Sequence, residues 1–265
     1  MKENEKVTVA VLGAGNIGKA VAAGVGARYP YVRLYNRSAG RLEDFDVPGV
    51  AVRTTDLGEA LDGADIVAIC VEGDAVEPVM HQAAEYLAAN NPVIVSCAAA
   101  STLAQLSALA RDYTQEVKVA RVLPNVAAHT GHSTSLFCSV GLDESDKAAV
   151  REVFGAIGEV YDVAEKDFGA AMAISSCGIA NVFRYVRAAM EAGVELGLSP
   201  DLACKLASGS LGGACLMIES TGKHPEALVD SVTTPGGLTI RGINTMEANG
   251  FSVAVIAGIK AACKH

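Results

Sequence analysis

The stretch from Val7 to Gly18 sets the tightest limit on what this chain can fold into. A short run rich in β-branched residues, Val7 to Leu12, passes at once into Gly13-Ala14-Gly15-Asn16-Ile17-Gly18 and then into alanine-rich sequence. That order predicts a buried strand, a tight glycine turn and a helix, the arrangement of a dinucleotide-binding unit. Gly13 permits the turn, Gly15 lets backbone approach a pyrophosphate, and Gly18 lets helix pack closely on strand. A glycine triplet alone is weak evidence, and its place directly after an N-terminal strand is what makes it specific.

The end of the second strand speaks to which dinucleotide is held. Val32 to Tyr35 reads as that strand, and it finishes in Asn36-Arg37-Ser38, where an NAD-binding chain would carry an acid for the ribose hydroxyls. No acid stands there. Arg37 can pair bidentately with a 2′-phosphate and Ser38 can donate to it, so the expected cofactor is NADP(H), with NAD(H) as the alternative. An Arg at this position can also be simply a solvated surface residue.

Strand and helix signals alternate up to about Val163. Val50 to Thr54, Ile66 to Val71, Val93 to Cys97, Val117 to Leu123 and Ser135 to Val140 read as further strands with helical stretches between several of them. A parallel, doubly wound Rossmann-type sheet follows from that order. Beyond Asp167 only helical periodicity is present. Ile179, Val182, Phe183, Val186 and Met190 form one apolar stripe, and Leu211, Ala214, Cys215 and Ile218 form another. The second helix is apolar or small nearly all round, which about a hundred residues cannot bury alone. The expected organisation is an α/β dinucleotide-binding domain over 1–163 and an all-helical substrate and dimerisation domain over 164–265. The expected assembly is at least a dimer, with a larger ring of dimers left open.

Composition narrows the partners. Of 265 residues, 21 are Lys or Arg and 30 are Asp or Glu, a net charge of −9 that disfavours nucleic acid or an anionic membrane surface. Met1 to Lys6 is charged and carries no signal pattern, and no run of about 18 uninterrupted apolar residues predicts a membrane span. Seven scattered cysteines without a CxxC pair read as reduced thiols in a cytoplasmic protein. His129 and His132 lie in an HTGH loop without a third ligand, so no metal site is expected.

Near the C-terminus, Thr233-Thr234 leads into Pro235-Gly236-Gly237, a turn with two exposed amides, and Ile240, Ile243 and Met246 then recur at helical spacing until Gly250. A helix starting close to Thr239 beside glycine amides favours a small anion such as a carboxylate, and Thr234 and Thr239 add hydroxyls. The bland reading of the same residues is an ordinary capped helix after a loop.

Taken together, GAGNIG at Gly13 to Gly18, NRS at Asn36 to Ser38, VSCAAA at Val95 to Ala100, RVLPN at Arg121 to Asn125 and TTPGGLTIRG at Thr233 to Gly242 resemble the pyrroline-5-carboxylate reductase family over nearly the whole chain. The last motif is by far the most specific. The resemblance implies reduction of a cyclic imino acid to proline with a nicotinamide cofactor. It implies that Gly13, Gly15, Asn16, Ile17 and Gly18 lie along the pyrophosphate and Asn36, Arg37 and Ser38 around the adenosine phosphate. Val71, Ala98, Ala99 and Asn125 would then fall near the ribose and nicotinamide. Thr234, Gly236, Gly237 and Thr239 would hold the imino acid, amides on its carboxylate and the Thr239 hydroxyl, the expected catalytic group, close to the ring nitrogen.

Departures from the family fall near the substrate. The family's SGSGPAY segment reads Ser175-Ser176-Cys177-Gly178-Ile179-Ala180-Asn181, which puts Cys177 and Asn181 at the expected substrate wall. Ala127 replaces a usual proline, and Glu72-Gly73 replace a usual Lys-Pro pair. Cys177 reads as a small packing residue, because no adjacent base activates it. These changes leave open a reductase of another cyclic imino acid or a non-catalytic cofactor-binding homologue. A 3-hydroxyacid dehydrogenase is disfavoured, since no lysine lies between Lys166 and Lys205 to act as its catalytic base.

Overall fold

The computed structural model describes residues 7–43, 45 and 49–263, so the charged N-terminus Met1 to Lys6 lies outside the described residues. The chain divides into two compact units, 1–176 and 177–265.

The first unit is built on one sheet. Its strands are β1 (Val9–Leu12), β2 (Val32–Tyr35), β3 (Val50–Thr54), β4 (Ile66–Ile69), β5 (Val93–Ser96), β6 (Val119–Leu123), β7 (Ser133–Val140) and β8 (Gly158–Asp162). They are ordered β3-β2-β1-β4-β5-β6-β7-β8. The order reverses between β1 and β4, which creates the crevice at the strands' carboxyl ends where this fold binds ligands. Between the strands lie α1 (Asn16–Gly26), α2 (Gly40–Glu43), α3 (Leu57–Leu61), α4 (Val76–Asn90), α5 (Leu103–Arg111) and α6 (Glu144–Gly155), and α7 (Phe168–Ser175) follows β8.

The two-residue period of a strand explains why the sheet is covered on both faces. Val9, Val11, Ile66, Ala68, Val93 and Val95 enter one cluster with Val21, Val25, Val150 and Phe154 of α1 and α6. Ala10, Leu12, Val67, Ile69 and Ile94 enter the opposite cluster with Leu61, Met80, Leu87 and Leu106 of α3, α4 and α5. Strands buried on both sides must be apolar throughout, as these are. Local signals fix the helix starts. Asp56 caps α3 by accepting from the amides of Gly58 and Glu59, and Thr102 and Gln105 form a reciprocal capping box on α5.

Two expectations need correction. β7 runs antiparallel to β6, so the sheet is not wholly parallel. The connection from Leu123 to Ser133 is a short 3-10 turn, Val126–Thr130, too brief for the crossover that a parallel neighbour requires. The strand β8, parallel to β7, escaped the sequence reading altogether. It sits at the sheet edge with Glu159, Tyr161 and Asp162 exposed, so it lacks the apolar run that marks the inner strands.

The second unit holds α8 (Gly178–Glu195), α9 (Pro200–Thr221), α10 (Pro225–Ser231), α11 (Leu238–Ala248) and α12 (Phe251–Ala262). α8 packs along α9, and Tyr185 meets Phe251 of α12 edge to face. Among the described residues of this unit only Ala203 is a buried apolar side chain, while Leu216, Val253 and Ile256 are 65%, 73% and 58% exposed. α9 is long and apolar enough to cross a membrane by length and composition alone. α7, at the start of the expected helical domain, packs on the sheet through Phe168 against Leu123 and Leu136.

Candidate cofactor and substrate site

The glycine turn is sterically determined. Gly13 has φ +112°, and a Cβ there would stand 2.5 Å from the Cys70 carbonyl oxygen. A Cβ on Gly18 would come within 1.8 Å of the Gly13 carbonyl oxygen, so backbone meets backbone with nothing able to yield. Gly15 is different. Its φ of −76° is open to any residue, and the nearest atom to a Cβ there would be Arg41 Nη1 at 3.9 Å. The space over Gly15 is thus open at the start of α1, which has no side-chain cap. A dinucleotide pyrophosphate fits such a cradle, since free amides and the helix dipole favour an anion. Asn16 and Ile17 form the exposed to half-exposed first turn of that helix.

Asn36 turns out to organise the loop rather than to reach outward. Its Oδ1 accepts from the Ala14 amide at 3.0 Å, and its Nδ2 donates to the Ser38 carbonyl at 2.9 Å and to Ser38 Oγ at 3.2 Å. It therefore ties the glycine turn to the loop carrying Arg37 and Ser38, both exposed. Beside this loop, Ala39, Leu42, Glu43, Arg53, Thr54 and Thr55 line a cleft of about 450 Å³.

Arg41 is a candidate that the sequence reading passed over. It lies four residues after Arg37, and its guanidinium stands above Gly15. A second basic residue one helical turn beyond NRS was the available signal.

The ends of β4, β5 and β6 build the neighbouring wall. Val71 Cγ1 lies 2.9 Å from the position of a Gly13 Cβ. Ala98 is buried with its amide donating to Ser96 Oγ, while Ala99 is exposed. Asn125 is buried and spends its side chain internally, Nδ2 donating to the Ser175 carbonyl at 3.1 Å and Oδ1 accepting from the Ala127 amide at 3.0 Å. It therefore shapes the wall more than it offers free donors.

Arg121, within RVLPN, has a structural role that its motif does not announce. The structure buries it over the Phe168 ring, 4.4 Å from the centroid. Its Nη1 pairs with Glu165 Oε1 at 3.0 Å and its Nη2 donates to the Ala99 carbonyl at 3.0 Å. Glu165 Oε1 also accepts from the Leu103 amide at 2.6 Å. The pair clamps the loop after β5. A charge in an otherwise apolar strand was the sequence signal, because such a residue needs a partner.

In the second unit the TTPGGLT segment has a defined turn. Gly236 has φ +69°, and the Gly237 amide donates to the Thr234 carbonyl at 2.9 Å, a type II turn with Pro235 and Gly236 at its centre. A Cβ on Gly237 would meet Thr234 Oγ1 at 2.5 Å. The Gly237 amide is thus already used, so the pair of glycine amides expected to face a carboxylate reduces to Gly236. α11 starts at Leu238 with no side-chain cap, so the amides of Leu238 and Thr239 at its first turn are left without a side-chain partner. Thr234 and Thr239 are exposed. Cys177 and Asn181 are exposed at the start of α8, on a different element of the same unit.

Other clusters carry less. Among the described residues no group of three or more His, Cys, Asp or Glu side chains is placed to hold a metal, and His132 Nδ1 lies 2.7 Å from the Thr130 carbonyl. Burial pushes the Cys138 thiol up to about 11, which keeps it protonated and unreactive.

A Rossmann-type sheet with an anion-ready glycine turn at its switch point, followed by an all-helical unit, is the build of a nicotinamide-dependent oxidoreductase with a helical dimerisation domain. Residues 165–265 match the model for pyrroline-5-carboxylate reductase dimerisation, and residues 8–100 match one described as an NADP oxidoreductase, coenzyme F420-dependent. The pyrroline-5-carboxylate reductase of Arabidopsis thaliana is 33% identical over 267 residues, 98% of this chain and 95% of that one. That of Corynebacterium melassecola is also 33% identical, over 92% of each chain. The solved structure of Plasmodium falciparum pyrroline carboxylate reductase with NADP bound superposes with a TM-score of 0.84 at 25% identity, covering 98% of this chain and 96% of that one. The chain belongs to the pyrroline-5-carboxylate reductase family.

Proposed function

We propose that this chain reduces 1-pyrroline-5-carboxylate to proline with NADPH. The observation that carries the reading is the uncapped start of α11 after the Thr234–Gly237 turn, with a threonine hydroxyl one residue into the helix. The helix amides and the Gly236 amide hold the substrate carboxylate, and Thr239 Oγ1 delivers or orients the proton on the ring nitrogen. Bound NADPH supplies the hydride. Attack on an imine carbon needs a protonated nitrogen, so a hydroxyl placed there stabilises the transition state more than the ground state. A steady-state assay with NADPH and pyrroline-5-carboxylate, beside its six-membered homologue, tests the reading and resolves the ring size that Cys177, Ile179 and Asn181 leave open. Failure to reduce either cyclic imine would transfer support to a non-catalytic cofactor-binding role.

Arg37 is exposed at the end of β2 with no hydrogen bond or ion pair among the described residues, ready for a 2′-phosphate. Arg37→Ala is expected to remove most of a preference for NADPH over NADH, costing about 1.5 to 3 kcal/mol for a lost charge-assisted contact. Equal kcat/KM for the two cofactors in the wild type would contradict this assignment.

The same reading makes the enzyme a cytoplasmic homo-oligomer, in keeping with its seven free thiols and its exposed apolar helices. An apolar α9 finds its burial against a second copy. A fragment of residues 1–176 is expected to bind NADPH but to sediment as an inactive monomer, whereas the whole chain sediments as a dimer or larger. Full activity of a monomer at nanomolar concentration would overturn the assembly.

A further inference from the structure

Two thiols lie beneath the glycine turn and take no part in the site as described. Cys70 directly follows β4 and Cys97 directly follows β5, and these strands pair with Ile69 in register with Ser96. The Cys97 amide continues the ladder by donating to the Ile69 carbonyl at 2.9 Å. Ile66, Ala68 and Cys70 follow a period of two, as do Val93, Val95 and Cys97, so both thiols project to the face covered by α1. Both pack half-buried against that cluster. Neighbouring strands lie about 4.8 Å apart, within the Cα separation of about 4.4 to 6.8 Å that a disulfide spans. The same Cys70 supports the nucleotide turn from below. Its carbonyl oxygen stands 2.5 Å from the position of a Gly13 Cβ, and its own Cβ 3.2 Å from that of a Gly18 Cβ.

We propose that Cys70 and Cys97 form an oxidisable dithiol, a modification site at which a peroxide closes a disulfide and thereby weakens dinucleotide binding. The proposal rests on the NADPH reading above. In the first step the Cys70 sulfur attacks hydrogen peroxide. A sulfur–oxygen bond forms, the oxygen–oxygen bond breaks and water leaves, giving a sulfenic acid. In the second step the Cys97 sulfur attacks that sulfenic sulfur, the sulfur–sulfur bond forms and a second water leaves with the Cys97 proton. Two thiols and one peroxide thus become one disulfide and two waters. The hydrogen bond with Cys70, and then burial, push the Cys97 thiol well above its ordinary value. Cys97 therefore keeps its proton, which leaves Cys70 as the sulfur that attacks the peroxide first and Cys97 as the resolving one. Drawing the two Cβ atoms to the spacing of a disulfide pulls Cys70 toward β5, on the side away from β1, and withdraws it from its place beneath Gly13 and Gly18.

The test uses the whole purified protein, with NADPH affinity of the reduced form measured first. The protein is then exposed to hydrogen peroxide, freed of it, alkylated and mapped by mass spectrometry. The expected result is a peptide pair linked through Cys70 and Cys97, an NADPH Kd weakened by about tenfold or more, and recovery on reduction with dithiothreitol. Saturation with NADP⁺ should slow the cross-link, and Cys97→Ala should keep its NADPH affinity through the same treatment. Mapping is essential because Cys177 and Cys215 are exposed and will oxidise independently. Absence of the linked peptide, or a linked protein with unchanged NADPH affinity, would overturn the proposal even if the variant failed to fold. A reduced protein that does not bind NADPH would instead overturn the cofactor reading, and the release step with it.

Discussion

Thr239→Val is expected to lower kcat on the cyclic imine by about 10- to 1,000-fold, the range for losing one acid-base or charge-stabilising group. Valine keeps the branched shape of threonine but carries no hydroxyl. Thr239 is exposed in the first turn of α11, so its removal leaves no buried group unsatisfied and the melting temperature should stay within a few degrees of wild type. NADPH affinity should also hold, because the glycine turn and the loop carrying Arg37 lie in the other unit. Single-turnover and steady-state kinetics on the variant decide the matter. Full kcat with Thr239→Val would show that another group supplies the proton.

The second large effect lies at the glycine turn, where two substitutions of the same size separate binding from folding. Gly15→Ala places its Cβ in open space, 3.9 Å from Arg41 Nη1, on a backbone that accepts it. The fold should be unaffected, and the lost approach of the pyrophosphate should raise the NADPH Kd by about 10- to 100-fold, the worth of one charged hydrogen bond. Gly18→Ala drives its Cβ to within 1.8 Å of the Gly13 carbonyl oxygen. The helix must then shift off the strand, at a stability cost of about 1 to 3 kcal/mol or more, and cofactor binding should be lost along with the lowered midpoint of unfolding. Thermal melts paired with NADPH titrations tell the two apart. Equal loss of stability in both variants would contradict the assigned roles.

How much of this was legible in the sequence varied with the kind of interaction. The inner strands were legible because burial on both faces leaves a run of apolar residues, as in Val93 to Ser96. The exposed edge strand β8 was not, because Glu159, Tyr161 and Asp162 face outward and mimic a loop. The direction of β7 went against the expected parallel sheet, because the connection after Leu123 is too short for the crossover a parallel neighbour needs. Thr239 at the start of a helix followed from spacing, and α11 begins one residue earlier. What the Gly237 amide does could not be read from the sequence, because TTPGG allows several turns and only the type II geometry commits that amide to the Thr234 carbonyl.

The sequence by itself determined the succession of the first seven strands, the glycine turn, the absence of an acid after β2 and the family signature at Thr233 to Gly242. Each of these is encoded by residues close together in the chain. Only the tertiary structure decided that Asn36 spends its side chain on the glycine turn, that Arg121 joins Glu165 to the Ala99 loop, and that Cys70 and Cys97 share one face beneath the nucleotide turn. Those contacts join residues 22 to 44 positions apart, and strand register, not local propensity, brings such partners within reach.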